Sequence, residues 1–443
     1  PVSWTFRKAT NFFDVVTYTG TGVARTVSHS LGSTPGCIIV KCTTTGATNW
    51  RVYHNGLTSS AYTIQLDQTN AQSNQPSIWN STAPTASSFT VGTDPSVNSL
   101  GDQYVAYLFA HDTSSTGMIQ CGLTSGGAST EITLGWEPQY LLYRSATFTD
   151  DWHVIDNMRG AAVGAPTYNT WSNLNINTSA SETSVTGSGG NPNIKFTATG
   201  FVLGAIAGNA IYIAIRRPNK PPTSGTSVFS PTAYTGNDTA RLINAGFVTD
   251  LSWMRSRNNA YVADSFVAVD RLRGSTAYLR TGTTDAEATG WFITLDNNSG
   301  IYLTNGSVYT NANPATYISY AFKRAPGFMD VVCFNATGAG GFLAINHKLG
   351  VSPNLTIFKN RTTPSYFNDW IVGASVVPNG FADTLALQTT AGLSVSSGDF
   401  GTVNSSSFSV YNPAGYSNSY VAYLFATLAG ISKVGSYTGN GTS

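Results

Sequence analysis

Charged side chains are scarce in this sequence: Asp, Glu, Lys and Arg make up 10% of its 443 residues, against about 25% in an average soluble domain. Helix surfaces depend on such side chains, whereas exposed strands use Ser and Thr, so the shortage argues against a mainly helical protein. The formal net charge is +1, and Lys and Arg are scattered. We therefore expect no basic patch for nucleic acid or for an anionic membrane.

Long apolar runs are also lacking, because none reaches the length of about 18 residues that a membrane helix needs. The first ten residues, PVSWTFRKAT, do not have the charged and then apolar layout of a secretory signal. Only four cysteines occur. Cys37 and Cys42 are predicted to lie on opposite faces of one strand, about 17 Å apart, which is too far for a disulfide. Free thiols fit a chain that folds in a reducing cytosol.

One hexapeptide occurs twice in the chain. The run Tyr104-Val105-Ala106-Tyr107-Leu108-Phe109 returns with all six residues identical at 420–425, and looser copies lie at 3–6, 211–215 and 318–322. The five copies end in apolar residues spaced 103, 106, 107 and 103 positions apart, namely Phe6, Phe109, Ile215, Phe322 and Phe425. A fixed period of this size matches a small domain, so the sequence predicts four domains in tandem.

Period-2 patterns and turn signals indicate β-structure within each domain. In the first, apolar or alternating runs occupy 13–18, 23–29, 37–42, 50–54, 62–66, 87–91 and 104–109, with clusters of Gly, Asn, Ser and Pro between them. Short strands separated by regular turns are typical of an antiparallel β-sandwich. We predict an all-β protein, a tandem array of four antiparallel, jelly-roll-like β-sandwiches of about 100 residues each.

The period divides the chain into six stretches. Residues 1–10 are predicted to end a preceding repeat and residues 430–443 to begin a further one, because 3–14 match 319–330 and 436–441 match 17–22. Between them lie sandwiches at 11–112, 113–222, 223–325 and 326–429, of which the third is the most divergent. Its Asp270-x-x-Arg273-Gly274 run echoes Asp156-x-x-Arg159-Gly160 of the second.

Residues that recur at equivalent positions are predicted to be structural anchors. Tyr104 and Tyr107 should point to opposite faces of a strand, one inward and one towards a neighbouring domain or subunit. Recurrence of Trp at one strand position favours core packing over stacking on sugars. The anchors are His29, Pro35, Trp50, Tyr104, Tyr107 and Phe109 in the first repeat, Pro138 and Trp152 in the second, and His347, Pro353, Trp370, Tyr420, Tyr423 and Phe425 in the fourth.

Candidates for chemistry are few. His29 and His347 have no recurring second histidine or acid beside them, so a bond to a turn backbone is favoured over catalysis. Asp150-Asp151 and Asp285-x-Glu287 would serve a glycosidase only if two carboxyl groups stood about 5 Å or about 6.5–9.5 Å apart across a cleft. Neither pair recurs, so we interpret both as solvated loop residues. No catalytic, cofactor-binding or metal-binding residue is predicted, and no cofactor.

The order HSLGSTPGCIIVK, then W-x-V-Y-H, then YVAYLFA, then a GSYTGNG restart resembles repeat regions in fibre or appendage proteins of tailed bacteriophages, especially cyanophage-like ones. The resemblance covers nearly the whole chain and is weakest in the third repeat. It implies a non-enzymatic structural protein on the virion surface, made in the host cytoplasm. It also implies a homo-oligomer, with a trimer favoured, that contacts other virion proteins and has a host-surface glycan as candidate ligand. Membrane insertion is not expected.

Three alternatives stay open at this point. A carbohydrate-binding, lectin-like array would place a glycan site on loop aromatics. A bacterial surface adhesin, located outside the cell, would carry a secretion signal upstream. A polysaccharide depolymerase would depend on residues such as Asp151 or Asp285.

Overall fold

Strands account for 42% and helices for 4% of the computed structural model, and the sheets are antiparallel. The structure describes residues 2–45, 48–125, 130–159, 171–185, 194–197, 199–204, 206–218, 220–258, 265–274, 276–290, 292–304, 306–362, 368–395 and 398–440. The predicted all-β fold with tandem antiparallel sandwiches is confirmed. Contacts group the chain into two compact units, unit 1 with the first two sandwiches and unit 2 with the last two. In the described residues, no helix has the length and apolar character required to cross a bilayer.

Sandwich 1 contains strands β1 (Phe13–Thr19), β2 (Arg25–Ser28), β3 (Pro35–Cys42), β4 (Arg51–His54), β5 (Tyr62–Gln65), β6 (Ser73–Asn74), β7 (Ser88–Val91) and β8 (Gln103–Ala110). Two single-turn helices, α1 (Pro76–Trp79) and α2 (Pro95–Asn98), interrupt the polar stretch before β8. The large sheet has the order β1-β8-β3-β4-β5-β6, and β2 pairs with β7 in a small sheet. All seven strands that the sequence predicts here are present.

Sandwich 2 contains β9 (Ile119–Thr124), β10 (Thr130–Thr133), β11 (Pro138–Ser145), β12 (His153–Asp156), β13 (Trp171–Asn175), β14 (Thr183–Val185), β15 (Lys195–Phe196), β16 (Gly200–Leu203) and β17 (Ala210–Arg216). A 3₁₀ turn follows β12 at Asn157–Arg159. The large sheet has the order β14-β13-β12-β11-β17-β9, and the small sheet the order β10-β16-β15.

Sandwich 3 contains β18 (Phe229–Thr235), β19 (Arg241–Asn244), β20 (Leu251–Ser256), β21 (Val267–Asp270), β22 (Ala277–Arg280), β23 (Ala288–Thr289), β24 (Ile293–Thr294), β25 (Gly300–Leu303) and β26 (Thr316–Phe322), after a 3₁₀ turn at Gly225–Ser227. Its sheets have the orders β18-β26-β20-β21-β22-β23 and β19-β25-β24. The divergent third repeat therefore keeps the plan of the first.

Sandwich 4 contains β27 (Met329–Asn335), β28 (Phe342–Asn346), β29 (Leu355–Asn360), β30 (Ile371–Ala374), β31 (Thr384–Ala386), β32 (Phe400–Val403), β33 (Ser407–Tyr411) and β34 (Ser419–Phe425), with a 3₁₀ turn at Gly380–Ala382. Its sheets have the orders β27-β34-β29-β30-β31 and β28-β33-β32. The strand that carries the repeated hexapeptide, β8 or β34, lies inside the large sheet between two neighbours.

Alternate residues of the hexapeptide strand face the two sides of the large sheet. Tyr104, Ala106 and Leu108 are buried beneath the small sheet of their own sandwich, as expected from the two-residue period of a strand. The Tyr104 ring stacks on Tyr18 at 5.1 Å, and Tyr18 meets Phe89 of the small sheet edge to face. Tyr107 points the other way, onto the outer face of the large sheet, meaning the face turned away from the small sheet.

The inward tyrosine also ties the strand to a preceding loop. Its hydroxyl accepts a hydrogen bond from Ser99 N at 2.8 Å and donates one to Pro95 O at 2.6 Å. In sandwich 3 the Tyr317 hydroxyl likewise accepts from Ala312 N and donates to Val308 O, both at 3.1 Å. A buried hydroxyl with both partners fixes the loop over the end of the core.

We predict that Tyr104→Phe destabilises unit 1 by about 1–3 kcal/mol, because Ser99 N and Pro95 O lose their shared hydrogen-bond partner. Tyr107→Phe is the matched control, since the Tyr107 hydroxyl has no hydrogen-bond partner among the described residues. Denaturant unfolding followed by tryptophan fluorescence should separate the two variants. Equal stabilities would show that the bonds of Tyr104 contribute nothing net.

Candidate functional site: the interface between paired sandwiches

The outer faces of the two large sheets in unit 1 pack against each other. Apolar residues of both faces join one continuous cluster, with Phe13, Cys37, Ile39, Val52 and Ile64 from sandwich 1 and Cys121, Leu142, Val154, Ile211 and Ile213 from sandwich 2. Two sheets that meet face to face form a core of their own. Unit 1 is therefore a stack of four sheets, with the two large sheets in the middle.

A buried arginine of sandwich 2 binds the chain that leaves β5 of sandwich 1. The Arg144 side chain is fully buried. Its Nη1 donates to the carbonyls of Gln65 and Gln68, and its Nη2 to those of Thr69 and Asn70, at 2.8–3.3 Å. Burial lowers the pKa of Arg144 to about 10, although Asp150 and Asp151 act against this. The guanidinium remains charged at neutral pH, and carbonyl dipoles balance it.

A tryptophan of sandwich 2 binds the same turn. The indole Nε1 of Trp152 donates to Gln65 O at 2.8 Å, and the Arg144 guanidinium lies over its ring at 5.2 Å. Trp152 is buried, but it lies on the outer face between two sandwiches. The sequence prediction that the recurring tryptophans pack in the cores of their own sandwiches is therefore wrong for Trp152. It is also wrong for Trp50 and Trp370, which stack on the outer-face residues Tyr107 and Tyr423. The position of Trp152 follows from pairing, which recurrence alone does not distinguish from core packing.

Unit 2 repeats this contact with small changes. The indole Nε1 of Trp370 donates to Arg280 O at 3.0 Å, and Lys359 Nζ donates to Thr284 O at 3.2 Å. Lys359 therefore takes the place of Arg144, with burial lowering its pKa to about 8. Gln65 and Arg280 are 215 residues apart, as are Arg144 and Lys359, whereas Trp152 and Trp370 are 218 apart.

Unit 2 also buries an ionic cluster between its two sandwiches. Arg273 Nε meets Asp270 Oδ2 at 2.5 Å, and its Nη1 meets Glu287 Oε2 at 3.1 Å. From sandwich 4, Arg361 binds both oxygens of Glu287 at 2.9 and 3.0 Å, and the Tyr423 hydroxyl donates to Asp270 at 2.8 Å. Burial raises the pKa of Tyr423 well above its ordinary value, so the hydroxyl keeps its proton. Two cations face two anions, as buried charges require.

Sandwich 2 carries a related cluster, built on the run that the sequence analysis matched to Asp270-x-x-Arg273. Arg159 Nε meets Asp156 Oδ2 at 2.8 Å, and its Nη1 meets Glu182 at 2.9 Å. Trp4 Nε1 donates to Asp156 Oδ2 at 3.0 Å, and the Arg159 guanidinium lies over the Trp4 ring at 5.3 Å. The shared run therefore marks a shared ionic arrangement.

Three histidines use one bonding pattern. In His29, His54 and His347, Nδ1 accepts the backbone N–H two residues later, at 3.0–3.2 Å, and Nε2 lies 3.0–3.2 Å from a carbonyl. This fits the neutral tautomer with the proton on Nε2. The carbonyl partner of His54 is Tyr212 O, so this histidine links sandwiches 1 and 2. His29 and His347 bind turn backbones, which agrees with the structural role favoured by the sequence.

Two segments of the chain, 4–211 and 224–443, match the model of one protein family, DUF7483, a domain of unknown function. The chain belongs to the DUF7483 family. Each matched segment takes in both sandwiches of one unit, and the interface contacts recur between the two segments. The DUF7483 repeat is therefore a pair of sandwiches. No curated protein matches the chain.

The other anchors fall on the central strands of the DUF7483 sheets. Pro35 and Pro138 are the first residues of β3 and β11, and Pro353 lies two residues before β29, where a missing N–H is tolerated. Phe109 and Phe425 lie on outer faces. They pack against Phe6 at 5.6 Å and Phe322 at 5.8 Å.

One aromatic position was missed by sequence reasoning. In three sandwiches a tryptophan immediately precedes β4, β12 or β30. Its backbone carbonyl accepts a hydrogen bond from a later backbone N–H, and its backbone N–H donates to a nearby side-chain oxygen. In sandwich 3 Phe266 does the same, with both bonds made to Thr281. The signal was an aromatic residue before the apolar run at 267–269.

The interpretation as a solvated loop residue is wrong for Glu287, which lies in the ionic cluster with Arg273 and Arg361. The other acidic residues considered for glycosidase chemistry are engaged in contacts within their own sandwich. Asp150 accepts from Ser145 N at 2.7 Å and lies 3.1 Å from His153 Nε2. Asp151 accepts from the side-chain amides of Asn175 and Asn177 at 2.9 and 2.8 Å. Asp285 pairs with Arg280. In the described part of the chain, no three His, Cys, Asp or Glu side chains are grouped as a metal site would need.

We predict that unit 1 loses stability as the pH falls from 7 to 4, because burial lowers the pKa of His54 to about 4. A lowered histidine pKa means that the unfolded chain, at about 6.5, takes up the proton first. Its contribution is complete above about pH 6.5 and is lost towards pH 4, by up to about 3 kcal/mol. Denaturant midpoints measured between pH 7 and 5 should fall for the native chain.

His54→Gln is the control for this pH dependence, since glutamine cannot take up the proton. Its stability should vary less over the same range, with a residual slope from His29, His111 and His347, whose pKa values burial also lowers. Identical pH profiles for the native chain and His54→Gln would contradict the assignment.

For unit 2 we predict that Asp270→Asn costs about 3–5 kcal/mol, because it leaves two buried guanidinium groups opposite one carboxylate. Asp285→Asn removes an exposed carboxylate and should change stability by less than about 1 kcal/mol. Thermal unfolding of both variants at pH 7 measures the difference. A small effect of Asp270→Asn would mean that the cluster tolerates an excess of positive charge.

Proposed function

We propose that the chain is a non-enzymatic structural protein of a tailed-bacteriophage particle. It forms a tail fibre or another appendage, a rod of tandem β-sandwich pairs that contacts the host surface. The proposal rests on the sandwich pairing, which occurs in both units with equivalent contacts at Trp152 and Trp370. In such a domain the polar and aromatic side chains join one sandwich to the next, and this suits a protein that must resist mechanical separation of its domains.

The engagement of the polar residues supports a structural role over catalysis. Arg144, His54 and Lys359 bind carbonyls of the opposite sandwich, and Asp270 and Glu287 bind arginines. Groups that are saturated by neighbours have little capacity left for a substrate. The resemblance of the repeats to phage appendage proteins points in the same direction.

In this proposal, binding to the host surface depends on many weak contacts and not on a single strong one. The exposed loops are rich in Ser, Thr and Asn, which suit weak polar contacts, and tandem repeats multiply such contacts through avidity. In this proposal the protein is made in the host cytoplasm, assembles as a homo-oligomer, and is presented on the virion surface beside other virion proteins.

Immunogold electron microscopy of native phage particles tests the proposal. We expect antibodies raised against this chain to label a projecting appendage at several positions along its length. Label on the bacterial envelope in cells without phage would favour a surface adhesin instead. Release of reducing ends from host polysaccharide, lost in Asp151→Asn, would identify a depolymerase and contradict the non-enzymatic assignment.

A carbohydrate-binding array is the second candidate, because sandwich 4 exposes an aromatic pair on its small sheet. Phe342 is 55% exposed and Tyr411 37%, with the two rings edge to face at 6.1 Å. Aromatic faces of this kind bind the apolar side of sugar rings. Glycan-array binding that Phe342→Ala abolishes would support this candidate, with Val395→Ala, at an exposed apolar residue elsewhere, as the control.

A further inference from the structure

Three residues on the outer face of the large sheet form what we call the platform in sandwiches 1, 2 and 4. In sandwich 1 terms, they are a cation on β3, the aromatic residue that precedes β4, and a residue of β8, the strand that carries the hexapeptide. Sandwich 3 has Arg255, Phe266 and Tyr320 at the same places. The platform is Arg144, Trp152 and Ile213 in sandwich 2, and Lys359, Trp370 and Tyr423 in sandwich 4. In sandwich 1 it is Lys41, Trp50 and Tyr107, with Lys41 Nζ 5.9 Å from the indole centroid.

Each even-numbered platform is filled by a turn of its partner sandwich. The last residue of β5 or β22 offers its carbonyl to the indole N–H, and later carbonyls of the turn accept from the cation. The platform therefore recognises the end of a strand and the turn that follows.

The platform of sandwich 1 is open by comparison. Trp50 and Tyr107 are half-buried, whereas Trp152 is 1% and Trp370 0% exposed. In the described part of the chain the Trp50 indole N–H has no hydrogen-bond partner, and Lys41 Nζ binds only Thr48 O of its own loop. The equivalent indole N–H groups of Trp152 and Trp370 donate to carbonyls at 2.8 and 3.0 Å. The Trp50 indole N–H is therefore available to a carbonyl of another molecule.

Sandwich 4 has an unused turn of the matching kind. After β31, Leu387 N donates to Trp370 O, as Leu66 N donates to Trp50 O after β5. The carbonyl equivalent to Gln65 O is Ala386 O, and among the described residues outside the strand ladders it accepts only from the nearby Thr389, at 3.2 Å. Two exposed leucines flank it, Leu385 at 38% and Leu387 at 42%. Leu66, the counterpart of Leu387, packs on the core of unit 1.

We propose that the Leu385–Leu387 turn of one chain docks on the Lys41–Trp50–Tyr107 platform of a second copy. In this contact the Trp50 indole donates to Ala386 O, Lys41 to a later turn carbonyl, and the leucines cover Tyr107. The inference rests on the proposed structural role and names its self-assembly contact. It is argued from the contact already formed twice within the chain.

Such a contact joins two different surfaces, so it is heterologous. Interfaces of this class close into rings where the rotation allows and otherwise continue as filaments. A ring of three copies would agree with the trimer that the resemblance to phage appendage proteins implies, and an open series would lengthen a rod.

Sedimentation velocity of the whole chain over a range of concentrations tests the proposal. The native chain should associate, and Trp50→Phe, which keeps an aromatic ring but lacks the N–H, should weaken association about tenfold. Leu387→Asp, at an exposed site, should abolish it. Val23→Asp, at a 65% exposed residue of another loop, is the matched control and should leave association unchanged. Circular dichroism checks that each variant is folded.

Cross-linking locates the contact directly. Two differently tagged chains, one with Lys41→Cys and one with Thr390→Cys, should be joined by a short bismaleimide, because Thr390 corresponds to Thr284, which binds Lys359 in unit 2. All four native cysteines are buried. Val23→Cys in place of Thr390→Cys should give no product.

A chain that stays monomeric at all concentrations, or that associates equally well with Leu387→Asp, overturns this proposal. Ser179 occupies in sandwich 2 the turn position that Thr390 occupies in sandwich 4. Preferential cross-linking of Lys41→Cys to Ser179→Cys would show that the platform of sandwich 1 binds the turn of sandwich 2, and would also contradict the proposal. Protection of Trp50 fluorescence by an oligosaccharide on a monomeric chain would make the platform a sugar site. None of these results bears on the labelling of phage particles, so the proposed function can stand or fail separately.

Discussion

In unit 1 the large sheet of each sandwich is apolar on both faces, and the rest of the architecture depends on this. One face is covered by the small sheet of the same domain, as in any β-sandwich. The other face carries residues such as Ile39, Val52 and Leu142, which would lie open in a single domain of about 100 residues. A patch of that size must be covered. Packing large sheet on large sheet covers both at once, and this explains why the family domain contains two sandwiches.

Pairing also accounts for the polar chemistry of the interface. Strand ends and turns carry carbonyls that must find donors when buried, and each unit supplies a cation and an indole for them. Arg144 and Lys359 do this with different numbers of bonds. The ionic clusters at Asp156 and Asp270 follow the same rule, because each buried charge faces an opposite one. The polar groups of the chain are thus explained by assembly within the unit before any ligand is considered.

Much of the fold could be predicted from the sequence, since period-2 patterns and turn residues are local. All seven strands of sandwich 1 and the opposite directions of Tyr104 and Tyr107 followed from them. Which sheet face meets which was not predictable, because Trp152 and Gln65 are 87 positions apart and no pattern links them. Phe266 was missed, and Glu287 was wrongly interpreted as a solvated loop residue, for a related reason. Their roles depend on partners in space, and their spacing in the chain differs from that of their counterparts.

The hydrogen bonds of Arg144 end on five main-chain carbonyls, four of them at the end of β5 of sandwich 1 and in the turn that follows it. Every amino acid offers the same carbonyl, so this contact sets a requirement on the path of the turn and almost none on its side chains. Replacement of residues 68–70 would leave the recognition intact as long as the backbone kept its course. Sandwiches can therefore diverge in sequence, as the third has done, while the contact between the two sandwiches of each pair retains its geometry.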